Sequence, residues 1–222
     1  MSIRNELLEK ILSALSAGGG GSAVLSVTGD DVDNTDPLNP VIDFSKEFGW
    51  SDNIQAFSAS KGNGTTEPVW RDMGNGMYAY HFTPADELFV VHHVNHDYKQ
   101  GTNAYPHIHF LVDEVMNAGE QVTWKICYTI AKGHQQGQSL TVPTTEFDMT
   151  YTATGAEVAG EHLILECSDL QAFDLIEPDT IIIVCATLVS ENVTGRVFGI
   201  LHDLHYQTDS HSTLNKAPNF YS

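Results

Sequence analysis

The feature that most constrains the fold is a succession of short apolar runs that begins at Met77 and continues to Gln207. Gly, Pro, Asn and Asp residues separate the runs, and no helical periodicity interrupts them. The alternation is clearest in residues 121–131, where one face carries Val122, Trp124, Ile126, Tyr128 and Ile130. Period-two alternation is typical of half-buried strands. The sequence therefore predicts an all-β protein, an antiparallel β-sandwich of the jelly-roll type.

Nine strands are predicted, at residues 77–83, 87–95, 105–112, 121–131, 140–142, 146–154, 161–167, 180–189 and 196–207. The final strand is predicted to place one set of side chains on a shared face: Phe198, Ile200, His202, Leu204 and Tyr206. His205 is predicted to lie on the opposite face, because successive strand residues alternate sides.

The N-terminal part of the chain has a different pattern. Residues 1–17 are predicted to form an amphipathic helix whose apolar stripe consists of Ile3, Leu7, Leu8, Ile11, Leu12 and Leu15. Residues 18–22 form a Gly-rich linker, and residues 23–74 form a turn-rich segment ahead of a body at 75–222. A helix this short is marginal alone in water. We expect its stripe to dock into a partner protein or pair with sister helices, the alternative being that it folds back on the body.

Composition excludes several functions. The net charge of −19 repels phosphates, so binding to nucleic acid is not expected. No apolar run approaches the roughly 20 residues of a membrane helix, and the charged residues in the first helix do not suit a secretory signal. Cys127, Cys167 and Cys185 lie in apolar runs without a CxxC spacing, which predicts buried free thiols.

Histidines concentrate in the segment His96–Phe110. His107 and His109 lie two residues apart on a predicted strand, so both imidazoles should share one face while Ile108 and Phe110 face the core. Such a cluster can either hold a transition-metal ion through neutral imidazoles or hydrogen-bond carboxylates such as Asp97 and Asp209 without metal. No cofactor beyond such an ion is predicted.

A cupin-like metalloenzyme is the first alternative that this cluster raises. Gly101, His107, His109 and Glu114 fit the beginning of the first cupin motif, and Gly199 with His202 fit part of the second. The closing glycine of the first motif and the proline and asparagine of the second are missing. No catalytic nucleophile, P-loop or dinucleotide motif is present, and we predict no catalytic residues.

The segment HDYKQGTNAYPHIHF at residues 96–110 resembles a signature of small structural proteins of tailed bacteriophages and prophages, HDYKEGTD-YPHIHW. The same family tends to end in a strand similar to residues 201–210, LHDLHYQTDS, and carries a V-W-ELEY strand similar to residues 122–128. Phe110 replaces the usual Trp, and His211 with Ser212 replaces Leu-Gly-Ser. The resemblance covers residues 75–212. It retains four histidines together, which implies that they form one cluster, with or without a metal ion: His96, His107, His109 and His205.

The resemblance implies a non-enzymatic virion protein, made in the host cytoplasm and incorporated into the particle as a capsid decoration, neck or tail component. Its partners would be other virion proteins, and a homotrimer is expected because jelly-roll virion proteins often pack around threefold axes. A third hypothesis is a carbohydrate-binding module on a phage appendage, with Trp70, Tyr78 and Tyr80 as a stacking platform.

Overall fold

A computed structural model describes residues 32–33, 41–42, 49–57, 67–74, 76–140, 145–174 and 176–208. The chain divides into two compact units, residues Met1–Phe48 and Gly49–Ser222. In the first unit, β1 (Val32–Asp33) pairs antiparallel with β2 (Val41–Ile42). The predicted helix at 1–17 and linker at 18–22 lie outside the described residues. Within the described residues, no helix has the length and apolar character to span a membrane.

The smaller sheet of the second unit has four antiparallel strands in the order β6-β11-β8-β9. They are β6 (Glu87–His93), β8 (Gln121–Ala131), β9 (Thr145–Thr152) and β11 (Ile181–Glu191). The predicted alternation of β8 is confirmed by complete or nearly complete burial of Val122, Trp124, Ile126 and Tyr128. Ile130 is only partly buried, although it still packs against the core.

The larger sheet has six strands, and β12 lies at its centre. Its strands are β3 (Trp50–Ala56), β4 (Val69–Gly74), β5 (Met77–Phe82), β7 (Ala104–Val112), β10 (Leu163–Glu166) and β12 (Val197–Gln207). The order is β10-β7-β12-β5-β4, and β3 also pairs with β12. β5 pairs with residues 197–199 of β12 and β3 with residues 201–207, so the two follow one another along the same strand edge.

A β-bulge interrupts β12 where its partner changes. The register against β7 shifts between Gly199 and Leu201, because Gly199 pairs with Phe110 whereas Leu201 pairs with His109. An extra residue in one strand reverses the alternation beyond it. Phe198 therefore lies on the outer face with Leu111, while His202 faces the core. The prediction that Phe198 and Ile200 share a face with His202 is wrong for this reason.

The two sheets enclose one main hydrophobic core. Trp124 of the smaller sheet is fully buried, and its ring contacts that of Phe82 from the larger sheet at a centroid distance of 4.8 Å. Phe110 lies on the same side of β7 as Ile108, and both are fully buried. The antiparallel β-sandwich predicted from the sequence is confirmed.

Two details differ from the predicted organisation. β3 and β4 fall within residues 23–74, for which the sequence predicts a turn-rich segment. The sandwich therefore begins at Trp50, and the predicted boundary at residue 75 is too late. The error is understandable because β4 is almost wholly exposed and has no apolar alternation. The strand predicted at 140–142 lies mostly outside the described residues.

Candidate functional site

The outer face of the larger sheet carries a cluster of two imidazoles and one carboxylate, from His107, His109 and Asp203. β7 and β12 pair so that His107 lies opposite Asp203, and His109 lies one residue pair further along. The His107 Nδ1 atom is 3.5 Å from Asp203 Oδ1, and His109 Nε2 is 3.2 Å from Asp203 Oδ2. One potential ligand atom from each residue lies within 4.8 Å of the others. We call these three residues the outer cluster.

Two further histidines border the outer cluster. His162 Nε2 lies 2.7 Å from His109 Nδ1, and the two rings are stacked. The His205 ring packs edge-on against His107 at a centroid distance of 5.3 Å and also contacts the ring of Trp50. The structure therefore brings together His107, His109 and His205, three of the four predicted histidines.

Burial sets the electrostatics of the outer cluster. Asp203 is 4% exposed and His107 is 7% exposed. Burial lowers the pKa of His107, and the attraction of the Asp203 carboxylate opposes this shift only in part. The Oδ1 atom of Asp203 is buried and accepts no hydrogen bond from any residue in the described ranges. A buried carboxylate is costly unless it is fully paired.

A second histidine pair lies inside the sandwich and joins the two sheets. His92 of β6 and His202 of β12 are both fully buried, and His92 Nε2 lies 2.9 Å from His202 Nδ1. Asn53 fixes the tautomers, because its amide nitrogen donates to the His93 carbonyl and so turns its Oδ1 toward His92 Nδ1, 3.1 Å away. His92 therefore donates from Nδ1 and accepts at Nε2 the proton of His202 Nδ1.

This inner pair is held in its neutral form. Burial lowers the pKa of His92 to about 4, and burial together with the neighbouring His92 lowers the pKa of His202 well below its usual value. The Nε2 atom of His202 is buried without a hydrogen-bond partner among the residues that the structure describes.

A third cluster surrounds Asp179. The carboxylate oxygens of Asp179 lie 3.3 Å from His93 Nε2, 3.2 Å from His96 Nε2 and 2.7 Å from His134 Nε2. Burial alone would raise the pKa of Asp179, but the hydrogen bond to His134 and the charges of His96 and His93 outweigh it, so the pKa is lowered. Both Asp179 and His134 have positive φ angles, 63° and 54°.

The position of His96 corrects the predicted cluster. The prediction that His96 joins His107, His109 and His205 is wrong, because His96 Nε2 contacts the Asp179 carboxylate. The carboxylate that completes the cluster is Asp203, which no local sequence pattern indicates, because it reaches the imidazoles through the long-range pairing of β7 with β12. Of the two predicted carboxylates, Asp97 accepts a hydrogen bond from the Tyr206 hydroxyl, and Asp209 lies outside the described residues.

The residues of the cupin alternative are dispersed. Glu114 is exposed beyond the end of β7, and His202 faces the core, so neither belongs to the group that could share an ion with His107 and His109. The cupin-type ligand assignment is therefore wrong.

The loop before β7 is bound to the end of β12. The Lys99 backbone N–H donates to the Gln207 carbonyl over 2.8 Å, and its ammonium group lies 3.3 Å from the Gln207 side-chain oxygen. Tyr98 is 1% exposed, and its hydroxyl donates to the Thr102 carbonyl. Most of the two segments that resemble the phage signature thus forms one continuous unit of neighbouring strands and loop.

An exposed aromatic surface lies on β4 and β5. Trp70 is 58% exposed and Tyr78 is 51% exposed, and their rings are near parallel at 18° with a centroid distance of 6.4 Å. Tyr80 packs edge-on against Trp70 at 4.8 Å. The predicted grouping of these three aromatic residues is confirmed, and we call them the aromatic platform.

The outer face of the smaller sheet forms a groove of about 430 Å³ that contains two half-buried thiols. Cys127 and Cys185 are directly opposite on β8 and β11, and the Cys185 Sγ atom donates to Glu87 over 3.4 Å. Burial raises the pKa of Cys185 to about 12, so this thiol stays protonated at neutral pH. An activated nucleophile needs the opposite shift. The thiols are free, as predicted, but they are less buried than expected.

No protein-family model matches the chain, and no curated protein matches it. Among solved structures, a carbohydrate-binding module CBM36 in complex with calcium and xylotriose is 11% identical, with a TM-score of 0.34 over 70% of this chain and 98% of the module. A non-crystalline cellulose specific module, CBM28, is 16% identical, with a TM-score of 0.28 over 81% and 92%. Dimeric latent PorU from Porphyromonas gingivalis is 12% identical, with a TM-score of 0.33 over 72% of this chain and 13% of PorU. All three TM-scores lie below 0.5, so the fold assignment rests on the strand pairing described above.

Proposed function

We propose that the protein is a non-catalytic structural component of a tailed-bacteriophage particle. The observation that carries the proposal is the joining of the two segments that resemble the phage signature. Ala104–Phe110 of β7 pairs with residues 199–206 of β12, and the preceding loop closes over the end of the same strand. The residues shared with the signature thus support the centre of the larger sheet, as expected of residues that maintain a structural fold.

Attachment to the particle would use the predicted helix at residues 1–17. Its six apolar side chains would each contribute on the order of 1.5 to 3 kcal/mol when buried in a partner, before the cost of ordering the helix. Three copies in a trimer would bind together and gain from their effective concentration. The Gly-rich linker at 18–22 would allow the helix and the sandwich to follow different symmetries.

The test is the presence of the protein in purified particles. Mass spectrometry of density-purified virions from the phage or induced prophage should detect the chain at a fixed copy number, and immunogold labelling should place it on the head, neck or tail. A chain lacking residues 1–21 should remain a folded oligomer of unchanged native mass but should not be incorporated. Absence of the full-length chain from infectious particles would contradict the structural role, and normal incorporation of the truncated chain would contradict the attachment mechanism.

A second candidate function, binding to a carbohydrate, is supported by the aromatic platform. Exposed, near-parallel rings of Trp70 and Tyr78 offer flat apolar faces that suit the C–H faces of a sugar ring. A virion appendage that contacts a host surface would have use for such a surface, so the two functions are compatible.

The carbohydrate hypothesis can be tested with host surface polysaccharide in an affinity gel or a glycan array. Trp70→Ala should weaken any binding at least tenfold, because it removes the ring that contacts both tyrosines. Trp50→Ala is the matched control, since Trp50 is 54% exposed on β3 and lies outside the platform. Equal loss in both variants, or retention of wild-type affinity by Trp70→Ala, would exclude the platform as the binding surface.

A further inference from the structure

We propose that the outer cluster of His107, His109 and Asp203 is a binding site for a divalent transition-metal ion, with Zn²⁺ as the best-suited ion. The site is independent of the virion assignment, because it rests only on the geometry of β7 and β12.

The spacing of the donor atoms fits a metal. Zn²⁺ binds imidazole nitrogen and carboxylate oxygen at about 2.0–2.2 Å, so two ligands of a tetrahedral site lie about 3.3 Å apart. His107 Nδ1 lies 3.5 Å from Asp203 Oδ1 and His109 Nε2 lies 3.2 Å from Asp203 Oδ2. One ligand atom from each of the three residues lies within 4.8 Å of the others, so small rotations of the side chains would bring all three to an ion. β-strand alternation holds the two imidazoles on one face, and the β7–β12 register supplies the carboxylate opposite them.

Asp203 gives independent support, because its charge is buried and incompletely paired. Its side chain is 5% exposed, and its Oδ1 accepts no hydrogen bond within the described part of the chain. In the described part of the chain, the side chains within ion-pair distance of Asp203 are the imidazoles of His107 and His109. A bound metal would neutralise the carboxylate while leaving both imidazoles neutral, the form in which imidazole binds metal.

His162 prepares His109 for this role. A metal bound at His109 Nε2 requires the proton to be on Nδ1, and His162 Nε2, 2.7 Å from that Nδ1, would then accept its hydrogen bond. Partners of this kind fix the tautomer and orientation of a metal-binding histidine. His162 is thus a positioning residue and not a ligand in this arrangement.

The donor set also indicates the class of metal. Two imidazoles and one carboxylate suit Zn²⁺ and its first-row neighbours, whereas Ca²⁺ and Mg²⁺ prefer oxygen ligands throughout. Three protein ligands leave a fourth position for water or for a donor from a partner molecule. The ion would connect β7 to β12, the two strands that carry the phage-like segments.

The test uses the full chain, freed of metal with a chelator and titrated with ZnCl₂ by calorimetry, with metal content measured by elemental analysis. One ion per chain is expected, and Co²⁺ should give visible absorption bands of a nitrogen- and oxygen-ligated site. Asp203→Asn and His109→Ala should each weaken binding at least 100-fold. His162→Ala should weaken it about tenfold, within the range of outer-shell partners.

Asp179→Asn is the matched control, since it removes the carboxylate of the other imidazole-rich cluster and should leave the affinity unchanged. Histidine nitrogen chemical shifts of the wild-type chain supply a second measurement that does not depend on the folding of the Asp203 variant, and His109 Nε2 should shift on binding. The proposal would be overturned if the folded wild-type chain did not bind Zn²⁺ at 100-fold molar excess. It would also be overturned if Asp179→Asn abolished binding while Asp203→Asn retained it, or if the shifts localised the ion elsewhere.

Discussion

Acidification should destabilise the sandwich through the inner pair of His92 and His202. Burial lowers the pKa of His92 from 6.5 to about 4, so between these pH values His92 is protonated in the unfolded chain but neutral in the folded chain. The contribution of neutral His92 to the free energy of unfolding is therefore fully present above pH 6.5, and it is lost as the pH falls from 6.5 toward 4. Protonation of His92 alone lowers the free energy of unfolding by about 3 kcal/mol over this pH range. His202 contributes in the same direction, because its pKa is also lowered.

A loss of this size is a large fraction of the 5–15 kcal/mol by which domains are usually stable. Urea unfolding at pH 8, 7, 6, 5 and 4.5, followed by tryptophan fluorescence, should show the midpoint falling steeply below pH 6.5. The double variant His92→Leu/His202→Leu should remove most of this dependence, because neither replacement takes a proton. Asn53 would keep its bonds to the His93 carbonyl and to Gln55 in that variant.

The control is His162→Gln, which changes an exposed imidazole on the outer face and should leave the acid-dependent loss intact. Replacing both members of a buried polar pair with apolar groups of similar size can be nearly neutral, so the double variant should remain folded at pH 8. If wild type and double variant lost equal stability between pH 6.5 and 4.5, the inner pair would not be the source and the reasoning would be refuted.

Two further substitutions test packing and charge. Gly199→Ala should destabilise the fold by about 1–3 kcal/mol in urea unfolding, because the new Cβ would lie 2.6 Å from Phe82 Cε2. The control is Gly49→Ala, whose Cβ would lie 3.6 Å from its nearest neighbour, and it should leave the stability unchanged. Glu157→Gln should destabilise the chain at pH 7, because hydrogen bonds from Thr154 and its neighbours hold the Glu157 pKa at about 2. The difference in free energy of unfolding between this variant and wild type should shrink as the pH falls below 4.5, where the unfolded wild-type carboxyl is protonated. A difference that stays constant with pH would contradict this.

Local patterns were sufficient to predict most strands but not the ends of the sandwich. Val122, Trp124 and Ile126 alternate with polar residues, and this signal depends only on neighbours along the chain. β4 carries no such signal, because it packs at the sheet edge with nearly every side chain exposed. Its membership of the sheet follows from pairing with β5, a contact that apolar alternation does not encode.

The candidate site was predictable only as far as one strand could specify it. The His-x-His spacing placed His107 and His109 on one face, as observed. The third member, Asp203, depends on the register between strands that are separated by 84 residues, from Val112 to Val197. His96 was misassigned because proximity along the chain does not decide which carboxylate a loop residue meets.

The β-bulge at Gly199–Leu201 determines which side chains of the second half of β12 face the core and which face outward. Phe198 and His202 are four residues apart and would share a face in a regular strand. The register shift places Ile200 and Leu201 on the same side, so the alternation reverses between Phe198 and His202. The reversal turns His202 inward to meet His92 and turns Asp203 outward to meet His107 and His109. Without the bulge and with Phe198 in place, Asp203 would face the core, and neither the inner pair nor the outer cluster could form. A lone glycine within a strand is a known signal for such a bulge, and Gly199 provides it here. The side chains that then meet on either face depend on the long-range packing of β12 with β7 and β6, which no local signal encodes.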